Sequence, residues 1–75
     1  MTPTRLAVVT QQIALLKEAK TQIKGVWDEE QDAFDALPEE ETNSEEGKRL
    51  DENRCNLDDA YSALDDAINS LKDIK

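Results

Sequence analysis

In the first half of the chain, apolar side chains fall at Leu6, Val9, Ile13, Leu16, Ile23, Trp27, Phe34 and Leu37. Lys20 and Glu30 fill the two remaining places of a strict alternation of three and four residues. That spacing puts one stripe on one side of an α-helix. In the second half Leu50, Leu57, Leu64 and Leu71 recur every seven residues, with Gly47, Arg54, Tyr61 and Ile68 between them. Seven-residue repeats held over this length predict left-handed, coiled-coil-like packing. The ends of the elements are also written in the chain. Thr2 before Pro3 reads as an N-cap followed by proline at the first helical position, where the missing N–H costs nothing. Leu37-Pro38 reads as a stop, because proline disfavours the helical region for the residue before it. Asn43 with Glu46 is the expected start of a second helix, as a variant capping box; Thr42 with Glu45, or Ser44 alone, are competing caps. One domain over residues 1–75 follows, with a helix at about 3–36, an acidic loop at about 37–43 and a helix at about 44–74. Gly25 costs the first helix about 1 kcal/mol without breaking its pattern.

Folding the two stripes together pairs positions whose numbers sum to 80 or 81. Ile13 then meets Ile68, Leu16 meets Leu64, Ile23 meets Leu57, and the large Phe34 meets the small Gly47. Each cation on the seam meets a ring, Arg54 facing Trp27 and Lys20 facing Tyr61, as cation–π pairs. Glu30, about one turn from Trp27, is a second partner for Arg54, and Lys20 has the alternative of snorkelling to water. The expected fold is all-α, an antiparallel two-helix hairpin.

Two helices cannot fully enclose one seam, and a second apolar surface lies beside it. Ala19, Val26 and Ala33 form a heptad column on the first helix; Ala60, Ala67 and Ile74 form one on the second. In an antiparallel hairpin these columns share one side, and Val8 and Leu15 widen it towards the open end. The expectation is a homodimer closing into a four-helix bundle across this wall. The plainer reading is a hairpin whose edge alanines only favour helix.

Composition narrows the chemistry. The 75 residues contain no histidine and one cysteine, Cys55, so an internal disulfide and any Cys/His zinc site or His-dependent catalytic triad are excluded. The longest apolar run is four residues, too short for a membrane span or a signal-peptide core, which suits a soluble intracellular protein. Nine basic residues stand against eighteen acidic ones, a net charge of −9. Free nucleic acid and anionic membranes are therefore not expected as partners, and basic surfaces are. The charge is also segregated. Residues 1–27 carry four cations and one acid, whereas residues 28–46 carry ten carboxylates and no cation.

On the second helix each seam leucine from Leu50 to Leu64 is followed by an acidic pair: Asp51 and Glu52, Asp58 and Asp59, Asp65 and Asp66. At 1.5 Å per residue successive pairs stand about 10 Å apart, on the side away from the alanine wall. These six carboxylates, with Glu39, Glu40 and Glu41 at the loop, are the candidate partner-binding residues. They form a ladder that mimics phosphates or engages a basic groove. The alternative is a solvated helix exterior that keeps the protein soluble. Asp28, Glu30, Asp32 and Glu39 match positions 1, 3, 5 and 12 of a calcium loop, but Ala33 stands where that loop needs glycine, so no metal is expected. Cys55 falls among acidic neighbours, which do not lower a thiol pKa, and reads as a bystander. Trp27 and Tyr61 read as core.

The run Asp28-Glu29-Glu30-Gln31-Asp32-Ala33-Phe34-Asp35-Ala36-Leu37-Pro38-Glu39, then Ser44-Glu45-Glu46-Gly47, Leu57-Asp58-Asp59-Ala60 and Leu64-Asp65-Asp66-Ala67-Ile68, resembles small acidic helical-hairpin proteins of bacteriophages and prophages. The similarity covers roughly residues 20–71 and implies a phage accessory role rather than a chemistry. The expected function is non-enzymatic, with no catalytic residue and no cofactor. An acidic helical dimer in the cytoplasm of an infected or lysogenic cell docks on a basic host protein and blocks it, a host-defence or nucleic-acid-processing factor being the natural target. The alternative is a structural or assembly module that pairs through its apolar wall with a larger phage protein.

Overall fold

The computed structural model describes all 75 residues as two long helices joined by a tight acidic turn. Helix α1 spans Pro3–Asp35 and helix α2 spans Glu45–Lys72, with a single 3-10 turn at Glu39–Glu41 between them. Both helices end one or two residues earlier than their apolar stripes predict. Thr2 caps α1, its hydroxyl accepting from the Arg5 N–H at 3.2 Å, with Pro3 behind it. Ser44 alone caps α2, accepting from the Gly47 N–H at 3.3 Å. The Asn43–Glu46 capping box is not the one used. Thr42 turns its hydroxyl back to the Glu39 carbonyl at 2.8 Å, so the loop closes on itself and leaves Ser44 at the helix start.

The helices run antiparallel as a rod 58 Å long and 15 by 13 Å across. At the open end the Met1 ammonium reaches the Lys75 carbonyl at 3.4 Å. The seam positions Leu6, Val9, Ile13, Leu16, Lys20, Ile23, Trp27, Glu30, Phe34 and Leu37 are all half-buried, and nearly every other side chain of α1 is exposed. On α2 the same holds for Arg54, Leu57, Tyr61, Leu64 and Leu71, while Gly47, Leu50 and Ile68 are buried. Only Leu50 and Ile68, at 7% and 3% exposure, form a core in the strict sense, because a pair of helices encloses a line and not a volume. No helix is long and apolar enough to cross a membrane.

Gly47 packs tightly against the loop end. A Cβ there would lie 2.7 Å from the Thr42 carbonyl carbon and 2.8 Å from the Glu41 oxygen, and closer still to the Thr42 oxygen. The missing side chain makes room for the backbone of the returning loop. Gly25, in contrast, faces open space.

Candidate functional site

Each of the chain's three aromatic rings carries a cation, and each of those cations is held by an aspartate. Lys20 lies 4.7 Å over the Tyr61 ring and donates to Asp65 at 2.7 Å. Lys24 lies 4.6 Å over Trp27 and donates to Asp28 at 2.7 Å. Arg54 lies 4.2 Å over Phe34 and donates to Asp51 and to the Gln31 side-chain oxygen. The Lys20–Tyr61 pairing is the one expected from the sequence. Arg54 is not on Trp27, whose face is taken by Lys24 from the preceding turn of the same helix. Nor does Arg54 pair with Glu30: Glu30 Oε2 and Arg54 Nε are both buried without a hydrogen-bond partner.

The Arg54 displacement has a geometric cause. The Cα–Cβ bond in a helix tilts towards the helix N-terminus, and long side chains follow it. On α2 that direction leads to the loop, so Arg54 reaches past the level of Trp27 towards Gln31. On α1 it leads away from the loop, so the Phe34 ring tilts back to meet it. The hydrogen bond from its Nζ to Asp65 raises the pKa of Lys20 above its ordinary value; partial desolvation opposes this, and the charge of Asp65 adds to the increase.

These contacts divide the acidic ladder into paired and unpaired members. Asp51 and Asp65 are engaged internally by Arg54 and Lys20. Glu52, Asp58, Asp59 and Asp66 make no ion pair and remain exposed. Asp58 occupies a special place among them. It lines a cleft of about 190 Å3 with Ile23, Lys24, Trp27 and Tyr61, and the next cleft with Trp27, Asp51, Arg54 and the exposed Cys55. Glu39, Glu40 and Glu41 form the 3-10 turn at the tip, exposed and without ion pairs. No group of three or more Cys, Asp or Glu side chains is arranged to hold a metal ion.

Along the same face a shallow basic depression was not foreseen: Lys17, Lys20, Thr21 and Lys24 surround Tyr61. The signal was available, since Lys17 and Lys24 are seven residues apart beside the seam. On the opposite face Val8, Leu15 and Val26 are 52%, 58% and 46% exposed. Ala33 and Ala60 are exposed as well, and Ala19, Ala67 and Ile74 half-buried. Towards the tip this wall becomes polar, in a groove lined by Val26, Glu30, Asn53, Asn56 and Leu57. No family model matches the chain, and no curated protein or solved structure matches it. Its chemistry is therefore read from these two faces, one of unpaired carboxylates beside aromatic clefts and one of uncovered apolar side chains.

Proposed function

We propose that the chain is a non-enzymatic accessory binding protein of a bacteriophage or prophage, an acidic helical dimer that docks on a basic host protein inside the cell and blocks it by occupancy. One observation carries this reading. Glu52, Asp58, Asp59 and Asp66 stay unpaired and exposed, although Lys24 shares a cleft with Asp58 and Lys48 one with Glu52, while Asp51 and Asp65 are paired with cations beside them. An acidic surface of this kind favours encounter with a basic partner and sets its orientation. Trp27 and Tyr61 beside Asp58 supply the aromatic element that binding centres favour. The phage assignment leans on the resemblance of residues 20–71. The seam spacing supports coiled-coil-like packing, and the exposed wall supports closure into a four-helix bundle.

The second reading, an assembly module that pairs its wall with a larger phage protein, is favoured by the exposure of Val8, Leu15 and Val26. Two variants separate the readings in capture experiments from host extract. A ladder variant carries Glu52→Gln, Asp58→Asn, Asp59→Asn and Asp66→Asn; a wall variant carries Leu15→Glu. Ladder docking predicts a basic protein released by moderate salt, lost with the ladder variant and retained by the wall variant. The reverse pattern, insensitive to salt, establishes the assembly reading instead.

A further inference from the structure

We infer that the apolar wall is covered by a second copy of this chain set antiparallel to the first, with the two-fold axis near Ala19 and the two acidic tips at opposite ends. The inference rests on the dimeric part of the proposed function and fixes the occupant and its direction.

The area supports a second copy. The hairpin exposes 5575 Å2, whereas a compact monomer of 8.5 kDa exposes about 4,650 Å2. The excess of roughly 900 Å2 is close to the approximately 800 Å2 that each partner contributes to a standard interface. The radius of gyration of 17.2 Å, against about 11 Å for a compact chain of this length, shows that the excess comes from the rod shape. Leu15 at 58% exposure, with Val8 and Val26, gives that surface its apolar content.

Charge sets the direction. The open half of the rod, residues 1–20 and 61–75, carries five cations and four acids, a net +1. The tip half, residues 21–60, carries four cations and fourteen acids, a net −10. A parallel pair sets two halves of −10 side by side. An antiparallel pair sets each against a half of +1. Ala19 is the midpoint of Pro3–Asp35 and lies level with Ala60 and Ala63, so the smallest side chains stand where the backbones approach most closely. Arg5 begins the column that continues through Gln12, Ala19, Val26 and Ala33, and it makes no ion pair in its own chain. In the antiparallel pair it comes level with residue 33 of the second copy, inside the stretch 28–46 that carries ten carboxylates and no cation.

The tips then lie about 60 Å apart, since each loop is about twenty residues from Ala19 at 1.5 Å per residue. The test uses the purified protein alone, so its outcome is independent of whether the acidic ladder binds anything. Light scattering gives the mass, and spin labels at Glu40→Cys in a Cys55→Ser background give the tip-to-tip distance. A mass of twice 8.5 kDa with a distance near 60 Å is the expected result. A distance below about 30 Å, roughly two rod widths, overturns the antiparallel arrangement. A mass of one chain overturns the second copy as occupant. Leu15→Glu, at a position the hairpin leaves exposed, is expected to keep its helical circular dichroism and fall to a single chain mass; a folded dimer of this variant places the interface elsewhere and overturns the proposal.

Discussion

The Arg54 guanidinium sits 4.2 Å over the centroid of the Phe34 ring, seven residues beyond the Trp27 ring that level-by-level pairing of the helices assigns to it. Side-chain direction, and not backbone register, decides this contact. The same tilt lets Lys20 reach Asp65 while still covering Tyr61.

A double-mutant cycle between Arg54→Ala and Phe34→Leu is therefore expected to show a coupling of about 0.5–1 kcal/mol in unfolding free energy. The corresponding cycle between Arg54→Ala and Trp27→Leu should be additive within about 0.3–0.5 kcal/mol. Denaturant unfolding of the six proteins measures both. Equal coupling in the two cycles would show that Arg54 is shared between the rings.

The two glycines should respond oppositely to alanine. Gly25→Ala gains roughly 0.5–1 kcal/mol of helix propensity in open space. Gly47→Ala drives a methyl group against the Thr42 and Glu41 backbone and is expected to cost about 1–3 kcal/mol, more than its gain in propensity. Thermal melts of the single variants decide it. A stabilised Gly47→Ala would mean that the loop yields readily and does not fix the hairpin turn.

Lys20 gives a pH signature of known sign. Its folded-state pKa is raised, chiefly by the hydrogen bond to Asp65, so its contribution is fully present below the unfolded value and is lost as pH rises through the folded one. The melting difference between the wild type and Lys20→Met should be constant from neutral pH to about 9 and shrink above about 10.5. A difference that stays constant through that alkaline range would place the contribution of Lys20 in its methylene stem and not in its charge.

Salt should stabilise the protein. The net charge of −9 and the ten cation-free carboxylates of residues 28–46 repel one another, and screening relieves this more than it weakens four ion pairs. Melting temperature at pH 7 is expected to rise between about 0.05 and 0.5 M sodium chloride, over which the Debye length falls several-fold. A falling melting temperature would show that the exposed ion pairs dominate.

The seam was legible in the sequence because burial between two helices depends only on the spacing of apolar residues. All nine seam positions of α1, Lys20 and Glu30 included, and Leu37 just beyond it are half-buried. The Thr2 cap and the Leu37-Pro38 stop were legible because each follows from local backbone chemistry. Gly47 was not, since its constraint comes from the path of the returning loop, which no periodicity encodes. The division of the ladder was hidden for a related reason. Spacing places Asp51, Asp58 and Asp65 in one column, but which of them meets a cation depends on how far Arg54 and Lys20 reach along the rod.

The central claim is that the unpaired carboxylates of α2 bind a basic protein, and it is tested most directly by the affinity of the purified captured partner at two salt concentrations. Charge docking predicts that Kd rises by tenfold or more between about 0.05 and 0.3 M salt, and that the Glu52, Asp58, Asp59 and Asp66 variant binds weakly with little salt dependence. A Kd that is the same at both salt concentrations, and unchanged in that variant, would contradict the account.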